Sequence, residues 1–259
     1  MGNSSYDLLI FSAKKDYNKI KFLHKSLHFL NPAFNRIYCI CPTIPSEKID
    51  GIIYVRDQEV FDFDISKINH PHPNWIKQQL MKLSQNITSD NYLTIDSDVI
   101  LTGTLPVYLN NKPSFFFGRN QFHEPYFKFS ENVFNLPKVV SPSFICEVML
   151  FKREFLRPLL FEMNTDELFN LCVDNITPTS YLSEFELYGN YVFKNHVDSY
   201  NYLQINTLLN GKNNELWTDQ AIQEFMDQIR SSEYSIVSFH SWFDNRHPGL
   251  IESIESQIT

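Results

Sequence analysis

Short apolar runs that alternate with helical patterns constrain the fold of this chain most strongly. The apolar run over residues 6–12 is followed by apolar residues at helical spacing from Ile20 to Leu30, and Asn31-Pro32 stops that pattern. Two further runs, over residues 36–41 and 51–55, are typical of buried strands. Strands that alternate with helices predict an α/β fold in which helices flank a mostly parallel central sheet.

The remainder of the chain continues the same alternation. A helix is predicted to begin at Asn74, and a polar turn leads from it into an apolar strand that ends at Ile95. Further strands are predicted over residues 114–118, 144–151 and 235–239, and further helices over residues 153–160, 166–173 and 218–230. No linker, internal repeat or break in composition divides the chain, so we expect one domain over residues 1–259.

Composition and charge exclude several classes of protein. The net charge of −8 argues against a nucleic-acid partner, because that affinity comes from clustered lysine and arginine. No stretch approaches the ~20 apolar residues of a transmembrane segment, and the N-terminus lacks a secretory signal, which favours a cytoplasmic location. Four cysteines are too few for a disulfide scaffold, and we expect buried thiols in a reducing compartment at Cys39, Cys41, Cys146 and Cys172.

Two carboxylates follow the apolar strand that ends at Ile95, in the sequence Asp96-Ser97-Asp98. Open α/β sheets bind ligands at the carboxyl ends of their strands. Side chains two residues apart in an extended chain point to the same side, so Asp96 and Asp98 should converge within roughly 6–7 Å. Such a pair can hold a hard divalent cation that completes its coordination with phosphate oxygens and water.

An isolated Asp-x-Asp is more often a polar turn after a strand. Here the preceding strand is strongly apolar, and the helix before it carries Trp75, either Gln78 or Gln79, and Lys82 on one face. A polar and aromatic helix face leading to this strand favours a functional site over a simple turn.

Four segments in order carry a resemblance to a known family. They are Trp-x-x-Gln-Gln-x-x-Lys-Leu at 75–83, Tyr-Leu-Thr-Ile-Asp-Ser-Asp-Val at 92–99, Ser-Glu-Phe-Glu-x-Tyr-Gly-Asn-Tyr at 183–191 and Ser-Phe-His-Ser-Trp at 238–242. Over residues 6–245 the chain resembles bacterial glycosyltransferases of GT-A fold, a family long known only as a domain of unknown function. It is more distantly similar to the glycogenin-like transferases. The resemblance implies a single Rossmann-like domain that binds a nucleotide-sugar through Mn²⁺ or Mg²⁺.

The same resemblance implies roles for the residues of the metal site. Asp98 would be the direct metal ligand, and Asp96 would hold the ribose or contact the metal through water. His240, at the end of the last predicted strand, would be a third metal ligand, and its neutral imidazole suits Mn²⁺ better than Mg²⁺. Without the resemblance, a lone histidine beside aromatic residues is more often structural.

Other polar residues are candidates for donor binding. Lys14 and Asp16 follow the first strand, where the resemblance places the nucleotide base and ribose. Lys82 would face the diphosphate with Gln79 on the same helix face, and Arg119 could reach the donor or the acceptor. Each of these residues also fits a simpler interpretation as a solvated surface side chain.

Glu184 and Glu186 are the catalytic candidates on the acceptor side, because a carboxylate can accept the proton of the attacking hydroxyl. Ser183 and Glu186 also match a capping box, in which the Glu186 side chain would bond back to the Ser183 backbone and only start a helix. We therefore favour Glu184 as the base. Among the tyrosines, Tyr126, Tyr188 and Tyr191 would suit stacking on a sugar.

The predicted function is a metal-dependent glycosyltransferase that moves a sugar from a nucleotide-sugar, a UDP-sugar above all, to a hydroxyl acceptor such as a glycan or surface polysaccharide precursor. An Asp-x-Asp phosphatase is an alternative, although Ile100 occupies the position where that motif has threonine. A non-catalytic protein that binds nucleotide-sugars or carbohydrates is another alternative. A calcium loop is excluded, because its sixth position, which requires glycine, is Leu101.

Overall fold

The computed structural model describes residues 5–84, 86–87, 89–118, 122–210 and 234–239. The strands are β1 (Asp7–Phe11), β2 (Leu30–Asn31), β3 (Ile37–Cys41), β4 (Ile52–Arg56), β5 (Asn91–Asp96), β6 (Val99–Leu101), β7 (Leu105–Pro106), β8 (Tyr108–Leu109), β9 (Lys112–Phe117), β10 (Val148–Lys152), β11 (Asn201–Gln204), β12 (Thr207–Asn210) and β13 (Ile236–Phe239). The helices are α1 (Tyr17–Ser26), α2 (Asp57–Val60), α3 (Pro73–Lys82), α4 (Glu124–Phe134), α5 (Arg153–Leu159), α6 (Thr165–Asn175) and α7 (Glu184–His196).

The largest sheet has five strands in the order β10-β5-β1-β3-β4, and all neighbours are parallel except β10, which runs antiparallel to β5 at the edge. Every residue of β1 is buried. Leu8 and Ile10 pack into the core on one face of the sheet, and Leu9 and Phe11 pack into the core on the other face. A strand covered on both faces is typical of parallel sheets, which explains its continuous apolar sequence. The predicted α/β fold with a mostly parallel sheet is confirmed.

Smaller sheets extend this framework. One has the order β12-β13-β6, in which β13 runs antiparallel to β6 and Ser238 lies opposite Val99. Another has the order β11-β9-β8. The strand predicted at the end of the chain is therefore present as β13, and it pairs with the strand that directly follows the Asp-x-Asp segment.

Several local predictions needed correction. The strand predicted over residues 144–151 begins only at Val148, because Glu147 has a left-handed backbone with φ of 64° that interrupts the extended chain. Sequence analysis did not predict α4. The helix predicted over residues 218–230 lies outside the described residues. The four cysteines are buried with free thiols, as predicted.

A membrane span requires a length and hydropathy that none of the described helices reaches.

Candidate functional site

The Asp-x-Asp segment lies at the carboxyl edge of the five-stranded sheet. Asp96 is the last residue of β5, and its partner on β1 is Phe11, the last residue of that strand. Because β10 is antiparallel, it begins at the same edge, where Val148 lies opposite Ile95. The segments that follow β1 and β5 and the segment that precedes β10 therefore meet at one place, as predicted for the ligand-binding edge.

Asp98 does not lie in an extended chain after Asp96. The strand ends at Asp96, and Ser97 and Asp98 form a turn, so the spacing argument from extended geometry does not apply. Burial is the main cause that raises the pKa of Asp98, the nearby charge of Asp96 adds to the increase, and the resulting pKa is about 7. The two carboxylates are thus close enough to repel each other when both are ionised.

Glu147 is a third carboxylate at this edge that sequence analysis missed. Its backbone carbonyl accepts a hydrogen bond from the Asp96 amide, with an N···O distance of 3.3 Å. Burial raises the pKa of Glu147 to about 8, and the charge of Asp96 contributes to the increase. Its Oε2 atom is buried and has no hydrogen-bond partner within 3.5 Å, although the Thr207 side chain lies near enough to lower the pKa of this carboxyl. A glutamate that interrupts an apolar run at the start of a strand was the signal that could have identified it.

The segment after β1 contributes a buried ion pair between Asp16 and Lys19, with an N···O distance of 3.0 Å. The charges of both residues affect the pKa of Asp98, so Asp16 lies near the Asp-x-Asp segment. Lys14 is exposed at the start of the same short turn.

Lys82 connects the Asp-x-Asp segment at the end of β5 to Glu184 at the start of α7. Its Nζ atom lies 3.0 Å from Asp96 Oδ1 and 2.7 Å from Glu184 Oε1, and the residue is only 3% exposed. Burial opposes its charge, but Asp96 and Glu184 together more than offset this and raise the pKa of Lys82. The lysine predicted to face a diphosphate is therefore bound to two carboxylates in this structure.

Gln79 lies one turn before Lys82 on α3 and contacts the same glutamate. Its Oε1 atom accepts a hydrogen bond from the Glu184 amide at 3.3 Å, and its buried Nε2 atom has no hydrogen-bond partner. The helix face predicted from the sequence thus leads directly to the N-terminus of α7.

Glu186 holds the segment before β10. Ser183 caps α7 by accepting a hydrogen bond from the Glu186 amide at 3.4 Å. The Glu186 carboxylate does not return to Ser183, as a full capping box requires, but accepts hydrogen bonds from Ser143 Oγ at 2.7 Å and from the Phe144 amide at 3.2 Å. The expected capping interaction is therefore only half formed.

The rest of the 183–191 motif is explained by packing. A Cβ atom on Gly189 would lie 2.3 Å from the ring of Phe144, so only glycine fits there. Asn190 Oδ1 accepts a hydrogen bond from the Val139 amide at 2.8 Å. Tyr188 is fully buried and its hydroxyl accepts a hydrogen bond from the Lys152 amide at 2.8 Å, so the prediction that it stacks on a sugar is wrong.

Among the described residues, negative charge predominates at this edge. No group of three or more histidine, cysteine, aspartate or glutamate side chains in the described part of the chain is arranged to hold a metal ion. The carboxylates nevertheless outnumber the lysines that lie among them, with Lys19 and Lys82 set against Asp16, Asp96, Asp98, Glu147 and Glu184. This donor set of oxygen atoms, with Glu147 Oε2 unpartnered, fits a hard divalent cation that takes its remaining ligands from elsewhere.

Two predicted site residues, His240 and Arg119, lie outside the described residues. The strand β13 ends at Phe239, one residue before His240. Since Ser238 lies opposite Val99 in antiparallel register, the described part of this strand leads toward the Asp-x-Asp segment.

Comparison with solved structures identifies the architecture as the GT-A fold. A crystal structure of an active-site mutant of LgtC matches with a TM-score of 0.52 and 14% identity, covering 97% of this chain and 94% of that one. A structure of the galactosyltransferase LgtC with donor and acceptor sugar analogs matches with a TM-score of 0.47 and 13% identity, covering 95% of each chain. Mouse xyloside xylosyltransferase 1 matches with a TM-score of 0.44 and 11% identity, covering 91% of this chain and 98% of that one.

The family follows from the sequence. The model of DUF6492, a family of unknown function, matches residues 10–201, which is well over half of the chain. The protein therefore belongs to the DUF6492 family. None of the curated proteins compared with the chain matches it.

Proposed function

We propose that this protein is a glycosyltransferase and that residues 1–259 form its single GT-A domain. It would transfer a sugar from a nucleotide-sugar, above all a UDP-sugar, to a hydroxyl group of a glycan or surface polysaccharide precursor. The observation that carries this proposal is the carboxylate cluster at the carboxyl edge of a GT-A sheet, which Lys82 connects to the buried Glu184.

The donor side is assigned to the Asp-x-Asp segment. We assign Asp98 as the direct ligand of Mn²⁺ or Mg²⁺, with Asp96 beside it toward the ribose and His240 as a third ligand. The excess of carboxylates and the unpartnered Glu147 Oε2 support a cation at this place. When bound, the cation would neutralise the diphosphate leaving group.

The acceptor side is assigned to Glu184. In the transfer step the acceptor oxygen forms a bond to the anomeric carbon of the donor sugar, and the bond from that carbon to the phosphate oxygen breaks. The nucleoside diphosphate leaves with the electron pair, and Glu184 accepts the proton of the acceptor hydroxyl. The 2.7 Å contact with Lys82 fixes the orientation of the Glu184 carboxylate.

The other predicted residues have different degrees of support. Asp16 is supported by its electrostatic interaction with Asp98, and Gln79 by its unpartnered Nε2 atom and its contact with Glu184. Lys14 is exposed and accessible to a ligand. Glu186 remains the second catalytic candidate, although its four hydrogen-bond partners favour a positioning role for the segment before β10.

Incubation of the protein with a panel of nucleotide-sugars, with and without Mn²⁺, tests the proposal. We expect release of nucleoside diphosphate only with the metal, and we expect Asp98→Asn to abolish it because the amide removes the charge that holds the cation. Asp62→Asn, at an exposed aspartate outside the candidate site, is the matched control and should behave like the wild type.

The products separate this proposal from its alternatives. Release of inorganic phosphate would identify a phosphatase. Binding of a nucleotide-sugar without turnover, with any acceptor in the panel, would identify a non-catalytic binding protein. Metal-independent release of nucleoside diphosphate that survives Asp98→Asn would contradict the assigned metal site.

A further inference from the structure

We propose that a cluster of aromatic rings next to Glu184 binds a sugar ring of the acceptor. This aromatic platform consists of His70, Trp75, His123, Tyr126 and Tyr181. The proposal rests on the proposed function, since it takes Glu184 as the residue that faces the acceptor.

The rings of the platform form one continuous set of contacts. Tyr181 lies at its centre, with ring centroids 4.5 Å from His70, 6.0 Å from Trp75, 5.4 Å from Tyr126 and 5.7 Å from His123. The hydroxyl of Tyr181 lies 2.7 Å from Nε2 of His123. These residues come from three separate parts of the chain, so the platform exists only in the folded protein.

The platform is open to solvent, unlike the large aromatic side chains that form the described core. Trp75 is 37% exposed, His123 is exposed, and His70, Tyr126 and Tyr181 are half-buried. The platform contains only histidine, tryptophan and tyrosine, and each of these rings carries a nitrogen or a hydroxyl group at its edge. Rings with an apolar face and a polar edge can stack on the carbon-bound hydrogens of a sugar while bonding to its hydroxyl groups.

The platform lies close to Glu184 through both α3 and the segment that precedes α7. On α3, Trp75 precedes Gln79 by four residues and Lys82 by seven, so the three side chains lie along one helix face. A rise of ~1.5 Å per residue puts Trp75 about 6 Å along the helix from Gln79, which contacts the Glu184 amide. Tyr181 lies three residues before Glu184 in the chain. A saccharide on the platform would therefore present a hydroxyl group toward Glu184.

The charge of the platform favours a neutral saccharide over an anionic ligand. None of its five residues is lysine or arginine, and burial lowers the pKa of His70, which favours the neutral imidazole. Tyr126 lies within the electrostatic reach of Glu184. The five platform residues themselves supply no fixed positive charge that would bind a phosphate or carboxylate group.

Nuclear magnetic resonance with fluorine-labelled tryptophan tests the proposal, since the chain has three tryptophans and Trp75→Phe assigns the signal of Trp75. The probes are methyl glycosides of common hexoses and N-acetylhexosamines, with lactose, maltose and cellobiose, each with and without UDP and Mn²⁺. We expect at least one of these saccharides to shift the Trp75 signal saturably. Saturation-transfer experiments on the same saccharide then measure its affinity for each variant.

Three variants provide the comparison. Trp75→Ala should weaken saccharide binding roughly tenfold, and Trp75→Phe should retain it within about threefold because the ring is kept. Phe161→Ala is the matched control, since Phe161 is 62% exposed but contacts Phe134 at the opposite end of α4 from His123. It should bind saccharide like the wild type.

Two results would overturn the platform: no saccharide in the panel shifts the Trp75 signal under any condition, or Trp75→Ala binds as well as the wild type. These failures are distinct from failure of the proposed function. Metal-dependent release of nucleoside diphosphate could persist without the platform, and saccharide binding that depends on Trp75 could persist without turnover.

Discussion

At the scale of single residues, Lys82 is the most constrained charge in the described part of the site. It is buried between Asp96 and Glu184, and these two carboxylates together offset the cost of burying its charge. Breaking a buried ion pair by removing one partner is costly because an uncompensated charge stays behind. An exposed ion pair contributes little, since water screens it.

The first prediction concerns this lysine. Lys82→Met should lower the free energy of unfolding by about 3–5 kcal/mol, because Asp96 and Glu184 would lose their shared cation. Lys128→Met removes an exposed lysine paired with Glu124 at 2.8 Å and should leave the free energy of unfolding close to the wild-type value, because water screens this pair. Urea unfolding of the two variants measures both values. Equal losses would show that Lys82 has no special role in the stability of the site.

The second prediction concerns the proposed base. Glu184→Gln should lower the rate of sugar transfer by roughly 10²–10⁴-fold, because the amide cannot accept the proton. Metal affinity and donor binding should stay close to the wild-type values, and steady-state kinetics with calorimetric titration measures them. If donor or metal binding falls as far as in Asp98→Asn, or if only thermal stability changes, Glu184 is not the base.

At the scale of elements, the N-terminus of α7 organises the candidate site. Ser183 caps the helix, Glu184 binds Lys82, and Glu186 binds the segment before β10. One turn later, Gly189 lets that segment approach the helix closely at Phe144. The spacing of the polar residues and the glycine in the 183–191 motif therefore reflects the contacts that α7 makes on two of its sides.

The third prediction follows from this close approach. Gly189→Ala would normally favour a helix by up to about 1 kcal/mol. Here the new Cβ atom would lie 2.3 Å from the Phe144 ring, so the clash should dominate and destabilise the protein by about 1–3 kcal/mol. Gly103→Ala is the control, since its Cβ atom would meet no atom closer than 3.7 Å. A Gly189→Ala variant at least as stable as the wild type would contradict the packing.

At the scale of the whole molecule, distant segments meet at the carboxyl edge of the sheet. The antiparallel pairing of β13 with β6 places Ser238 opposite Val99, the residue after Asp98. Val99, which follows Asp98, is thus paired with Ser238, which lies two residues before His240, although these residues are far apart in the sequence.

The fourth prediction tests whether this pairing serves a shared metal. His240→Ala should weaken Mn²⁺ binding, and its effect combined with Asp98→Asn should be less than additive because both changes remove ligands of one ion. Electron paramagnetic resonance of free Mn²⁺ measures the affinities. The exposed His28→Ala is the control and should bind Mn²⁺ like the wild type. Strictly additive effects, or no effect of His240→Ala, would remove His240 from the metal site.

The sequence by itself determined which segments form helices and strands and which polar residues lie at the ends of strands or on one helix face. The apolar run of β5 followed by Asp96-Ser97-Asp98 was enough to predict carboxylates at the carboxyl edge of a sheet. Trp75, Gln79 and Lys82 were placed on one helix face by their spacing alone. These predictions held because hydrogen bonding within a helix or strand fixes the positions of near neighbours.

Tertiary structure alone decided which of these groups meet. Lys82 pairs with Glu184 across 102 positions of the chain, and Glu186 binds Ser143 instead of its own helix cap. Glu147 interrupts an apolar run in the sequence, but only the antiparallel pairing of β10 with β5 brings it beside Asp96. Contacts between distant segments depend on the register of strands and on the packing of helices against the sheet, which local periodicity does not encode.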